Sequence, residues 1–153
     1  MPVKRKTQVV TSPFGERTRH GVTKMHRGVD LRTVRFPKES GYLPLWSLQD
    51  IVFPERCMVL RKWFDVWGGG IAVRPLETIR FSELKFIHID IEDYIEVKAI
   101  YEKGEVIGKS MLTKKNTQHH LHFEVHQVLD DERNVPVNPT LYFDLKKIEY
   151  EYK

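Results

Sequence analysis

From His120 to His126 apolar and polar residues alternate without a break. Leu121, Phe123 and Val125 fall on one parity, and His120, His122, Glu124 and His126 on the other. Successive side chains of a strand point to opposite faces, so this run predicts a strand with one packed face and one face that carries chemistry. Runs rich in β-branched and aromatic residues predict further strands over Met58 to Phe64, Gly70 to Pro75, Leu84 to Ile91 and Ile95 to Tyr101, and a short one over Glu105 to Gly108. Gly and Pro punctuate the chain between these runs, the signature of strands joined by turns. The expected fold is mostly β, a single-domain antiparallel β-sheet with little helix.

Two regions break the pattern. Phe36 to Glu55 holds several Pro and aromatic residues without periodicity and reads as a long connection, with a short helical turn near Leu45 to Asp50. Val135 to Pro139 reads as a turn ahead of a closing strand or helical turn at Leu141 to Phe143, and the alternating Ile148 to Lys153 reads as a final edge strand. No internal repeat or linker divides the chain, so residues 1–153 are expected to form one domain, with its core over about 10–145.

The chain has 153 residues, 41% hydrophobic and 30% charged, the composition of an ordinary globular domain. Its net charge of +4 is unevenly placed. Up to Arg35, nine Lys and Arg residues stand against Glu16 and Asp30 alone, a bias that favours polyanions such as nucleic acid, anionic lipid or an acidic wall polymer. Cys57 is the only cysteine, which excludes an intramolecular disulfide and a cysteine-based zinc knuckle, and its neighbours Met58 to Leu60 predict a buried thiol. The basic N-terminus Met1 to Lys6 is followed by no apolar segment of the roughly 7–15 residues that a secretory signal contains. No apolar run reaches the roughly 18–20 residues of a membrane span. The expectation is a monomer made in the cytoplasm without a signal peptide.

Seven histidines are present, at positions 20, 26, 88, 119, 120, 122 and 126. On a strand, His120 and His122 stand about 6.6–6.8 Å apart on one face, close enough for one to bind a metal while the other meets its water. Spacing leaves open which does which. His119 has the opposite parity and is expected outside the site, and His20 and His126 are unassigned. In His26-Arg27-Gly28-Val29-Asp30 the four-residue spacing suits one helix face, but Gly28 and the β-branched Val29 argue against a helix. On a straight strand the pair would lie about 13 Å apart. A bend at Gly28, through the unusual backbone angles open to glycine, would bring them together. Two His and one Asp match the three-ligand set of a catalytic zinc site, which keeps its fourth position for water.

The ordered pieces Ser12-Pro13-Phe14-Gly15-x-Arg17, His26-x-Gly28-Val29-Asp30-Leu31, Gly68-Gly69-Gly70, Phe86-Ile87-His88-Ile89, Lys103 to Gly108, His120-Leu121-His122-Phe123-Glu124-Val125 and Val137-Asn138-Pro139 span nearly the whole chain. In this order and spacing the chain resembles the lysostaphin/LytM-type zinc metallopeptidases, which cut peptide bonds in bacterial peptidoglycan. The resemblance implies a duplicated-hybrid-motif-like β fold with a narrow active-site groove. It implies one zinc per chain on His26, Asp30 and His122, with His120 and His88 as the catalytic histidines. Glu124 is expected to play a structural or supporting part, because two histidines already meet the acid–base need. The stretch Lys109 to His119 departs from the family's glycine-rich segment. The implied substrate is peptidoglycan peptide, and the implied setting a phage endolysin or a lysin carried by a virion. Two alternatives are a non-catalytic member that binds the wall or regulates another hydrolase, and a basic nucleic-acid module. Non-catalytic members lack one or more site residues, whereas this chain has all five. No stacked-aromatic or zinc-finger signature supports nucleic-acid binding.

Overall fold

The computed structural model describes residues 1–5, 8–34, 47–143 and 148–150. Its strands are β1 (Gln8–Ser12), β2 (Gly15–Arg19), β3 (Val22–His26), β4 (Val29–Leu31), β5 (Ile51–Val52), β6 (Cys57–Asp65), β7 (Gly68–Pro75), β8 (Glu83–Ile91), β9 (Ile100–Tyr101), β10 (Val106–Ser110), β11 (Leu121–Val128), β12 (Asn134–Val137) and β13 (Ile148–Tyr150). One large sheet runs β13-β1-β4-β11-β8-β7-β6-β9, with β12 on β11 and β10 bridging β8 and β5. β2 and β3 form a separate hairpin. Helix among the described residues is limited to short 3-10 turns such as Pro139–Leu141. None of it is long and apolar enough to cross a membrane.

The mostly β expectation holds, with one exception to the antiparallel rule among the described residues: β1 and β13 pair in parallel. Two local expectations fail. Of Ile95 to Tyr101 only Ile100 and Tyr101 are a strand. The chain turns before them, with the Ile95 amide donating to the Glu92 carbonyl and Lys98 at a φ of 71°. Ile95 is fully buried as a turn residue, so its hydrophobicity reports packing rather than extension. The proline-rich Val135 to Val137 belongs to a strand, because among the described residues β12 pairs only with β11 and an edge strand tolerates a residue that cannot donate. The helical turn expected near Leu45 to Asp50 and the connection from Phe36 lie partly outside the described residues, as do 151–153; Leu48 forms an isolated bridge with Val34.

The strand β11 sits near the middle of the sheet and holds the alternation read from sequence. Leu121, Phe123 and Val125 are 0% exposed, and burial of such side chains contributes about 1.5–3 kcal/mol each. Phe123 packs edge-on against Phe86 of β8 and beside Phe143. This apolar face fixes the register, since a slip of one residue would turn the histidines into the core. Cross-strand pairing then sets Asp30 opposite His122 and His122 opposite Ile87. The same row continues from Ile87 to Gly70 and from Gly70 to Trp63, where the indole lies so close over Gly70 that a Cβ there would meet its ring at 2.2 Å. Cys57 is buried as expected, and burial pushes its thiol up to about 12.

The chain does bend at Gly28, but not through a left-handed conformation, because Gly28 is not among the positive-φ glycines. Its glycine requirement is one of space: a Cβ would lie 2.3 Å from the Phe123 carbonyl oxygen and 2.9 Å from Glu124 Cγ. The backbone of the β3–β4 connection must touch β11 for His26 to reach the site. Gly28→Ala is therefore expected to destabilise the protein by about 1–3 kcal/mol, read as a lowered midpoint in denaturant unfolding.

Candidate metal centre

Three side chains converge where β3, β4 and β11 meet. His26 ends β3, Asp30 is the middle residue of β4, and His122 is its cross-strand neighbour on β11. His26 Nε2 lies 3.1 Å from His122 Nδ1 and 3.2 Å from Asp30 Oδ1, and His122 Nδ1 lies 3.1 Å from Asp30 Oδ1. These three atoms form a nearly equilateral triangle. A tetrahedral ion with bonds of about 2.0–2.1 Å spaces its ligand atoms about 3.3–3.4 Å apart, so the triangle has the size of one face of a zinc site.

The other nitrogen of each imidazole settles which lone pair faces inward. His26 Nδ1 is 2.7 Å from the Pro13 carbonyl, which can only accept, so His26 donates there and presents Nε2. His122 Nε2 is 2.8 Å from Glu124 Oε2, which leaves Nδ1 for the centre. Outward N–H groups tied to a carbonyl or a carboxylate are what metal-binding imidazoles require. Two lone pairs and a carboxylate oxygen aimed at one point repel one another unless a cation or a proton lies between them. The donor set therefore fits zinc.

Charge on the neighbours supports this arrangement. Arg17 Nη1 donates to Ser12 Oγ at 2.7 Å and lies 3.9 Å from Asp30 Oδ2, the oxygen turned away from the histidines. Burial alone would raise the Asp30 pKa, but with a proton in the place of the cation its contacts with His122 and His26 outweigh burial and hold the carboxyl well below the usual range. Burial alone would lower the His122 pKa, but bonding to Asp30 and Glu124 pushes it up to about 9. Glu124 is likewise held low by His122 and His126 against the opposing effect of burial.

His120 and His88 complete the cluster. His120 immediately precedes β11, donates from Nδ1 to the Gln118 carbonyl at 2.8 Å, and brings Nε2 within 3.7 Å of Asp30 Oδ1. The His88 ring centroid is 4.8 Å from that of His120 and 6.1 Å from that of His122. His88 reaches this position through a β-bulge: Gly70 pairs with Ile87 and Gly69 with Ile89, so His88 is the extra residue between them. Its φ of 74° places it in the left-handed region. The Met111 amide donates to the His88 carbonyl at 2.9 Å, and His88 Nδ1 donates to the Trp67 carbonyl at 2.7 Å, leaving Nε2 open. Burial lowers the His88 pKa, with His120 and His122 adding to the effect and the Trp67 carbonyl opposing it.

All five residues singled out in the sequence thus lie in one cluster. His119 instead meets Ser110 Oγ at 2.9 Å, and His20 sits in the exposed β2–β3 turn at a φ of 53°. His126 shares the parity of His122 but is buried behind the site, not in the cleft. The segment that replaces the glycine-rich stretch is tied to the β6–β7 turn, with Thr113 Oγ1 donating to the Val66 carbonyl. Arg17 was visible in the sequence only as part of a motif. The carbonyls of Pro13, Trp67 and Gln118 leave no residue-type signal.

No protein-family model and no curated protein sequence matches this chain. Solved structures do. The catalytic domain of the antimicrobial peptidase lysostaphin from Staphylococcus simulans aligns with a TM-score of 0.56 at 17% identity, covering 87% of each chain. The catalytic domain of the prophage-encoded protein EnpA from Enterococcus faecalis aligns at 0.62 and 17% identity, covering 94% of this chain and 97% of that one. A zinc containing peptidase from Vibrio cholerae aligns at 0.59 and 20% identity, covering 88% of this chain and 37% of the other. At these identities the likeness establishes the fold, which is the lysostaphin/LytM-type β architecture.

The raised His122 pKa has a measurable consequence for chelator-treated protein. Because it lies above the ordinary 6.5, the stabilisation it contributes is fully present below pH 6.5 and is lost as pH rises through about 9. Denaturant unfolding of metal-free protein between pH 6 and 10 should therefore show a loss of stability that the His122→Gln variant lacks.

Proposed function

We propose that this chain is a zinc metallopeptidase that hydrolyses peptide bonds in bacterial peptidoglycan. His26, Asp30 and His122 hold the metal, and His120 and His88 act on the reacting groups. The observation that carries the proposal is the 3.1–3.2 Å triangle of inward-facing ligand atoms beside two further imidazoles. Shared architecture with a lysostaphin catalytic domain and a zinc containing peptidase supports the reaction class.

When bound, zinc would polarise the scissile carbonyl and activate water for attack near neutral pH. His120, anchored through Nδ1, offers Nε2 to take the attacking water's proton and deliver it to the leaving amine. His88, anchored to the Trp67 carbonyl, offers Nε2 as an acceptor that orients the water. Once protonated, the same nitrogen can donate to developing negative charge. In the metal-free site Asp30 is held ionised by its histidine partners, and Arg17 lies 3.9 Å from its second oxygen, so the carboxylate is ready to receive the metal.

The prophage origin of one structural neighbour supports a setting as a phage lysin. The basic N-terminal third would favour approach to anionic envelope polymers, an attraction that salt screens.

The test is digestion of peptidoglycans of defined cross-link type, with freed termini identified by mass spectrometry. His122→Ala should lose zinc and activity together. His120→Ala should retain zinc and lose about 100-fold or more in turnover. Zinc-loaded protein that leaves every cross-link type intact would overturn the proposal.

A further inference from the structure

Behind the ligand His122 lies a polar chain that ends in the interior. Glu124 Oε2 is 2.8 Å from His122 Nε2, and Glu124 Oε1 is 2.8 Å from His126 Nε2. The three residues alternate along β11 and so share one face. Glu124 is 6% exposed and His126 2%, so neither is placed to meet a substrate. Gly28 closes over the carboxylate from the β3–β4 connection, with room for nothing larger.

An ionised carboxylate only accepts, so both imidazoles must direct an N–H at it. For His126 this assignment is enforced from the far side. Its Nδ1 is buried with no hydrogen-bond partner among the described residues. A lone pair there is tolerated more readily than an orphaned N–H, so the ring's hydrogen stays on Nε2 and points at Glu124. Glu124 is thereby held in place with its other oxygen on His122. His122 must carry a hydrogen on Nε2, and Nδ1 is the nitrogen left for the triangle with His26 and Asp30.

We propose that Glu124 and His126 form a positioning pair that fixes the tautomer and ring orientation of His122 and so presents Nδ1 to the metal. This rests on the metal site proposed above. Neither residue is catalytic, because both act through His122. A glutamine at 124 cannot substitute: with its oxygen on His122, its amide would face His126 Nε2 and drive that ring's hydrogen onto the partnerless Nδ1.

The test compares zinc affinity, by competition with a chromophoric chelator, for the full chain, Glu124→Gln, His126→Phe and His122→Ala. The hydrogen-bearing nitrogen of His122 is read in the first three, loaded with zinc, by imidazole 15N NMR. Glu124→Gln should weaken zinc binding by about 10–100-fold and give mixed His122 tautomers. His126→Phe, which keeps a buried ring of similar size, should weaken binding less, and it carries the test if Glu124→Gln does not fold. Folded variants at 124 and 126 with native zinc affinity and an unchanged His122 tautomer, alongside a His122→Ala that loses zinc, would overturn the positioning pair and leave the metal site standing. A full chain that binds no zinc would overturn both.

Discussion

An imidazole has two nitrogens, and a cluster of them can address one small volume only if each has its other nitrogen occupied elsewhere. The structure meets this condition at four histidines from three separate parts of the chain. The anchors are the Pro13 carbonyl for His26, the Trp67 carbonyl for His88, the Gln118 carbonyl for His120 and the Glu124 carboxylate for His122. Without these acceptors the rings could turn or exchange tautomers, and the inward lone pairs would be lost. The geometry of the cleft is a consequence of where the sheet puts hydrogen-bond acceptors around it.

The sheet accomplishes this through register. Leu121, Phe123 and Val125 lock one face of β11 into the core, which commits His122, Glu124 and His126 to the other. Asp30 and Ile87 then fall on either side of His122 as cross-strand neighbours. His26 is the exception, since it arrives from a hairpin outside the large sheet. Its position depends on how tightly the β3–β4 connection can approach β11, and hence on the missing side chain at 28. Charge follows the same plan: Arg17 reaches across from the hairpin to the oxygen of Asp30 that the histidines do not use.

Much of this was legible in the sequence, and unevenly so. The alternation around His122 named both the strand and its chemical face, because periodicity directly encodes which side of a sheet a residue occupies. The need for a bend between His26 and Asp30 was also readable from distance alone. Its cause was not: Gly28 is required by a neighbour 95 residues later in the chain, and no local pattern reports such a contact. The same holds for the anchoring carbonyls, since every residue has one. Ile95 to Tyr101 misled because a buried turn and a buried strand share a composition, and Val135 to Val137 because proline is compatible with an edge. The assignment of His122 as ligand and His120 as base came from the family resemblance, as spacing treats the two alike.

The bulge at His88 has a further consequence. A side chain held at a φ of 74° sits in a region that favours glycine, and the surrounding pairings of Ile87 and Ile89 keep it there. Selection for folding stability alone would drift this position toward glycine, and selection for the cleft's chemistry opposes that drift. Position 88 is thus a point of conflict between durability and activity. Stabilising the chain by sequence optimisation would favour replacing the histidine, unless that position were held constant.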